Sequence, residues 1–309
     1  MWLRICDTRL MHGWLNIDKP EGMTSHQVVA RLRNILRIRK IGHAGTLDPL
    51  ASGVLPIAIG EATKTVPFMM DQAKTYRFEI KWGMQTSTDD REGEIIATSS
   101  VRPSPKQIQA ILKDFTGTFE QIPPRYSAIK IKGKPAYAYA RAGKDVELKS
   151  RQVHIDNLLL LDSQNEEQSS FEVHCHKGTY VRSLARDMAI RLGTVGHVTS
   201  LRRTQVGNFH ESSAILLENW SDLGHKEVIV EQLYPLDIVL DDILAIKISS
   251  SDQHKLMHGQ AVQSVATTRQ SRHKDLVLCV TPQGVPVALA TLIDEWIRPT
   301  RVFNIVTER

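Results

Sequence analysis

The segment from Gly42 to Gly53 reads GHAGTLDPLASG and holds the residue types best suited to chemistry in this chain. Gly42, Gly45 and Gly53 allow positive φ and let a ligand approach the backbone closely. Pro49 biases Asp48 away from helical geometry, so its carboxylate is displayed from a turn. A carboxylate held this way can attack an electron-poor sugar carbon or stabilise charge on it, as glycosidic-bond chemistry requires. On spacing alone, Asp-Pro in a loop is more often a plain turn former.

Other candidates are scattered along the chain. Asp89, Asp90 and Glu92 form an acidic turn, readable as a site edge or as a solvated loop. His174 and His176 flank Cys175 on a strand and therefore share a face, but the sequence shows no further ligand nearby, so no metal site is expected. Lys130, Lys132, Lys134 and Arg141, interleaved with Tyr126, Tyr137 and Tyr139, suit phosphate and base contacts.

The elements that must position these groups are legible in part. Trp14 to Ile17 reads as a strand ended by the turn residues Asp18 to Gly22. Thr24-Ser25 can cap a helix with apolar residues at Val28, Val29, Leu32, Ile35 and Leu36. Thr75 to Met84 alternates, with Tyr76, Phe78, Ile80, Trp82 and Met84 on one face, the pattern of a half-buried antiparallel strand. Ser104-Pro105 with Gln107 opens a second helix that Gly117 stops. Pro123 to Lys149 is a basic insertion of weak periodicity. Strands at Val153 to Leu161 and Phe171 to His176 feed a helix from Tyr180 to Leu192. Beyond about residue 245 short strands surround a turn at Pro282-Gln283-Gly284, a small β-rich module. The order lacks regular βαβ alternation, so the fold class is α+β with a mixed, mostly antiparallel central sheet flanked by helices.

Bulk composition sets the frame. The chain has 309 residues, 41% hydrophobic and 24% charged, which is ordinary for a globular protein and long enough for one large and one small domain. A net charge of +5 permits an RNA partner without requiring one. Cys6, Cys175 and Cys279 are far apart and fit a reducing, cytoplasmic setting better than a disulfide framework. No apolar run is long enough to span a membrane, and Met1 to Leu10 has no signal-like apolar region. Met11, just before the first patterned segment, is a candidate alternative start, and the chain divides into residues 1–10 as an N-terminal extension, 11–245 as the catalytic domain and 246–309 as the second domain.

The Gly42–Gly53 loop resembles, almost letter for letter, the active-site motif of the TruB family of tRNA pseudouridine-55 synthases. Four further segments resemble family motifs in the family's order. They are Asp18 to Ser25, Lys74 to Phe78, Gly178 to Leu184 and His197 to Arg203. Together the five cover roughly residues 14 to 210. The resemblance implies a pseudouridine synthase fold and isomerisation of a uridine in the T arm of tRNA. The base is extruded, its glycosidic bond is cleaved with Asp48, it rotates, and a C–C bond forms. It implies that Asp48 is catalytic, that Tyr76 stacks on the base, and that Arg182 faces Asp48 and fixes its direction. It further implies that Tyr180 and Leu201 line the pocket and that His43 fills space left by flipped-out nucleotides. By pattern alone Tyr76 would be a core residue, Arg182 a solvated charge and His43 a surface histidine. The basic insertion is similar to the family's mobile thumb, and residues from about 246 stand where the family has a PUA-like RNA-binding domain.

No net redox change or group transfer is implied, so no cofactor is expected. The expected partner is the tRNA T stem-loop, with no membrane, no obligate protein partner and a monomeric state. Two competing readings are a guide-RNA-dependent, dyskerin-like relative and an RNA-folding factor without catalysis. The basic insertion and the lack of long basic tails favour the stand-alone type. Asp48, Tyr76 and Arg182 occurring together favour catalysis.

Overall fold

A computed structural model of the chain describes residues 11–144, 147–217, 231–264 and 275–305. The expected extension, residues 1–10, lies outside the described residues, as does Cys6. The strand Gly13–Lys19, buried along nearly its whole length, pairs antiparallel with Ser52–Ile59. Thr24 closes a capping box with Gln27 at the start of the helix Ser25–Leu36, whose buried face is Val28, Val29, Leu32 and Leu36. That is the face the apolar spacing predicts, since residues three and four apart share one side of a helix.

These strands belong to a ten-stranded mixed sheet. From one edge its order is Ile215–Leu216, Gly13–Lys19, Ser52–Ile59, Gly196–Val206, Lys74–Trp82, Gln168–Cys175, Arg151–Asn165 and Gly117–Gln121. Most neighbours run antiparallel; Gly196–Val206 lies parallel to Ser52–Ile59 and antiparallel to Lys74–Trp82. The sheet therefore brings the loop before Ser52 to within one intervening strand of the strand that carries Tyr76. Alternation along Lys74–Trp82 buries Phe78, Ile80 and Trp82 as expected, but the strand ends two residues early. Gly83 takes φ +83°, and a Cβ there would meet the Arg102 guanidinium, so Met84 starts a separate short strand, Met84–Thr86.

A second, five-stranded sheet forms the C-terminal part, in the order Leu244–Lys247, Leu276–Val280, Pro286–Ile293, Trp296–Val302 and Val262–Gln263. The turn expected at Pro282 to Gly284 joins two of its strands, with Gly284 N donating to Thr281 O. One helix there, Ser250–Met257, has no counterpart in the sequence reading, because only Leu256 of its residues is buried and it shows no apolar stripe. Among the described residues no helix is long and apolar enough to cross a membrane.

The two parts share a core. Trp14, Val54, Ala58 and Met69 of the first pack in one cluster with Leu278, Val280, Leu289 and Phe303 of the second. At its margin Glu61 accepts from Lys40 at 2.8 Å, Lys64 at 2.6 Å and the Asn304 backbone N–H at 2.9 Å. Burial pushes the Glu61 carboxyl up, but these three donors outweigh it and hold it down to about 2. A folded-state value below the unfolded one contributes stability above pH 4.5 that is lost as the pH falls toward 2. Glu61→Gln is therefore expected to cost about 1–3 kcal/mol at neutral pH and to flatten the acid limb of stability. Chemical denaturation at a series of pH values measures this; parallel profiles for variant and parent would refute it.

Candidate active site

The Asp48 loop is tied down at several points. The buried Ser25 hydroxyl donates to Leu47 O at 3.1 Å and accepts from Leu47 N at 2.8 Å. Gly22 N donates to Pro49 O, and Ala51 N to Asp48 O. The fully buried Lys19 ammonium donates to Pro20 O, Met23 O and Pro49 O; burial pushes it down to about 8. Gly53 sits at φ +101°, where a Cβ would fall 2.2 Å from Arg203 O, so only glycine permits this close approach. Thr24-Ser25 thus has a second duty besides capping, which its position at a helix start gave no means of reading.

Arg182 enters from the first turn of the helix Val181–Arg191. Its Nη2 lies 2.9 Å from Asp48 Oδ2 and donates at 2.9 Å to Tyr126 O; its Nη1 donates at 2.9 Å to Thr88 O. On its other side Asp90 Oδ2 lies 3.5 Å from Nη1. Arg182 and Asp90 are each only 4% exposed, whereas Asp48 is 35% exposed. A buried guanidinium with this many acceptors is held rigidly, and it holds in turn one oxygen of the accessible carboxylate. Asp90 is therefore no solvated turn residue. Its Oδ1 also accepts from Thr88 Oγ1 and Glu92 N.

Asp48 and Arg182 border a cavity of about 420 Å³. Its wall includes Tyr76, Tyr180, Leu201 and Arg203, with Tyr126 and Tyr137 contributed by the basic insertion. Gln121 clamps the Tyr180 backbone from both sides, accepting from its N–H at 2.9 Å and donating to its carbonyl at 3.2 Å. Tyr76 is half-buried; burial pushes its hydroxyl up from the ordinary value, opposed by the Arg203 guanidinium 6.0 Å from its ring centre. Arg203, 1% exposed, donates to Val54 O and Gly45 O and so fastens the loop to the central strand. Sequence reading gave Arg203 no role of its own, for its alternation with Arg202 hides which of the two points inward.

Asp48, Tyr76, Tyr180, Arg182 and Leu201 thus meet at one cavity, although they come from widely separated stretches of chain. His43 does not line it. His43 lies on the short strand Ile41–His43, with Nδ1 buried and unbonded, and burial pushes its ring down.

An aromatic-walled cavity with one accessible, guanidinium-fixed carboxylate defines an enzyme site for a flat polar ring attached to an electrophilic carbon. Residues 33–181 match the TruB family pseudouridylate synthase N-terminal domain, and residues 182–244 the tRNA pseudouridylate synthase B C-terminal domain. The chain is 48% identical over 304 residues to a tRNA pseudouridine synthase B of Nitrobacter winogradskyi, covering 97% of this chain and 84% of that one. It is 47% identical to one of Rhodospirillum rubrum, covering 96% and 97%. Its fold matches a chain in the structure of an H/ACA ribonucleoprotein bound to a substrate RNA, with TM-score 0.71 at 24% identity, covering 97% of this chain and 87% of that chain. The chain belongs to the TruB family of pseudouridylate synthases.

Proposed function

We propose that the chain isomerises uridine to pseudouridine at position 55, in the T arm of tRNA, with Asp48 as the catalytic carboxylate. The observation that carries this reading is the 2.9 Å pairing of Asp48 with a buried Arg182 at the cavity wall. One carboxylate oxygen is held by the guanidinium, and the group remains open to the cavity. The target uridine is stacked in its loop and must be extruded to reach the cavity. Tyr76 stacks on the base and is placed for proton transfer, and Tyr180 and Leu201 wall the pocket. The N1–C1′ bond breaks with Asp48 taking up or stabilising the positive ribose carbon. The freed base rotates, C5 bonds to C1′, C5 gives up its proton, and N1 gains one. Atoms and electrons balance without a cofactor.

His43, outside the cavity wall, is read as filling the space vacated in the T loop. Residues 11–245 form the catalytic domain, and 246–309 a PUA-like RNA-binding domain. The chain acts in the cytoplasm as a monomer on the T stem-loop, with no obligate protein partner. Incubation with unmodified tRNA, and with a bare T-arm stem-loop, followed by nucleotide-resolved mapping tests all of this. Pseudouridine at the T-loop uridine in both substrates is expected. Product only in the presence of a guide RNA would move the chain to the dyskerin-like mode.

The basic insertion carries a hairpin, Lys130–Ile131 with Lys134–Pro135, turned at Lys132 (φ +47°) and Gly133. Lys130, Lys132 and Lys134 are all exposed at its tip, beside the segment that supplies Tyr126 and Tyr137 to the cavity. Affinity for tRNA is expected to fall with salt. Replacing the three lysines by glutamine is expected to lower the log–log slope by roughly 0.7–0.9 for each phosphate left without its cation. An unaltered slope in the triple variant would leave these lysines as a solvated tip.

A further inference from the structure

Period-two alternation places His154 and Asp156 on the solvent face of the strand Arg151–Asn165, with Val153 and Ile155 buried beneath. The neighbouring strand Gln168–Cys175 likewise buries Val173 and Cys175 and turns His174 outward. His176 follows it, joined to the first strand by its N–H on His154 O at 3.0 Å. Three imidazoles therefore converge on one carboxylate, and two of the four groups were invisible as partners in the sequence. His154 Nε2 lies 3.3 Å from Asp156 Oδ1, and His176 Nε2 lies 2.9 Å from Oδ2. Donor atoms of these three side chains lie within 4.8 Å of one another.

We propose that His154, Asp156 and His176 bind a divalent transition-metal ion of the zinc class. Two imidazole nitrogens and a carboxylate oxygen are the donor set such ions take, and metal–ligand bonds near 2.0–2.1 Å put neighbouring donors about 3.3 Å apart. The two His–Asp spacings already lie near this value, and the donor set, within 4.8 Å overall, would draw together around the ion. The remaining nitrogen of His154, Nδ1, is paired with Thr118 Oγ1 at 2.8 Å, which aims Nε2 at the cluster. His174 Nδ1 lies 2.8 Å from Asp156 Oδ2 and orients the carboxylate. Thr118 and His174 are thus positioning residues of the kind that surround metal ligands. Stability is a weak alternative reason for the arrangement, because pairs this exposed contribute little. The ligand side chains are 36–45% exposed, leaving a coordination position for water or an anionic oxygen. His176 also borders the active-site cavity, so the ion would brace the strand end from which the Gly178 to Arg182 segment departs.

The test uses the full chain without a histidine tag, stripped of metal and titrated with Zn²⁺ by calorimetry and with Co²⁺ by visible absorption. One ion of micromolar or tighter affinity is expected, with the absorption of low-coordinate Co²⁺. His154→Gln, Asp156→Asn and His176→Gln are each expected to weaken binding by tenfold or more, and Thr118→Val and His174→Gln by about tenfold. His254→Gln, in the other close histidine pair, whose rings lie 4.4 Å apart, is expected to leave it unchanged. All the substituted side chains are half-exposed or exposed, so unaltered melting temperatures check that folding is intact. Absence of saturable binding, or binding indifferent to Asp156→Asn and His176→Gln, would overturn the proposal.

Discussion

Asp48→Asn is expected to abolish product formation while tRNA binding survives. The substitution keeps shape and one hydrogen-bonding oxygen toward Arg182, but removes the charge and the oxygen proposed to take up or stabilise the ribose carbon. A loss of at least about 10⁴-fold in the single-turnover rate is the scale expected when a central catalytic group is removed. In the proposed complex affinity rests on stacking and phosphate contacts, which do not use that oxygen. Arg182→Met is also expected to cripple the reaction, for another reason. It leaves Asp48 undirected and strips Thr88 O, Tyr126 O and the buried Asp90 of their shared cation. Arg182→Lys, which restores charge but not the fork, is expected to recover little, because one ammonium cannot reach both carboxylates and both carbonyls. The Asp48→Asn, Arg182→Met double variant should be little worse than either single, since the pair acts as a unit. Substantial turnover by Asp48→Asn would remove the carboxylate from the mechanism. Matched losses of rate and affinity would instead make Asp48 a fastener of its loop.

Phe303→Ala is expected to destabilise the entire molecule. Phe303 is 2% exposed and sits in the cluster that joins Trp14 and Val54 of the catalytic sheet to Leu278 and Leu289 of the C-terminal sheet. Truncating a buried phenylalanine leaves a cavity and costs about 3–5 kcal/mol. Because the cluster draws on both sheets, the catalytic part should lose stability as much as its neighbour. A single, lowered thermal transition followed by both tryptophan emission and activity is the expected observation. Two transitions, with the catalytic one where it was, would mean that the sheets are energetically separate. By the same geometry, a chain cut at about residue 246 is expected to lose stability in its catalytic part as well. The cut removes Leu278, Val280, Leu289 and Phe303 from the shared cluster, so the loss should not be confined to RNA binding.

Local order was legible wherever the chemistry was local. The helix cap at Thr24, the capping box at Ser104, the alternation read from Thr75 to Met84 and the turn at Pro282 each depend on residues a few positions apart, and the structure has them, the alternation as far as Trp82. Position in the site was legible only through resemblance. The first turn of a helix looks like a place for a solvated arginine, and nothing near Arg182 in sequence announces that Asp48 and Asp90 lie against it. The anchoring by Lys19, Ser25 and Arg203 was unreadable for the same reason, since their acceptors are carbonyls that carry no side-chain signature. The histidine cluster depends on a register shift between Ile155 and Asn157 that no alternation pattern encodes. The helix Ser250–Met257 escaped because it is short and buries a single side chain.

The central place of the strand Gly196–Val206 bears on how the enzyme comes into being on the ribosome. That strand lies between Ser52–Ile59 and Lys74–Trp82, both made long before it. Until it emerges, the segment bearing Asp48 and the segment bearing Tyr76 have no common neighbour to pair with, and the carboxylate waits for its arginine from the helix Val181–Arg191. Such long-range pairing is slow, because the loops must close before the contacts reward them. A nascent chain halted short of Val206 would accordingly hold its catalytic loop without a cavity to serve. The strand that joins the two halves of the site is thus among the latest made of its sheet, followed among the described residues only by the short strands Phe209–His210 and Ile215–Leu216.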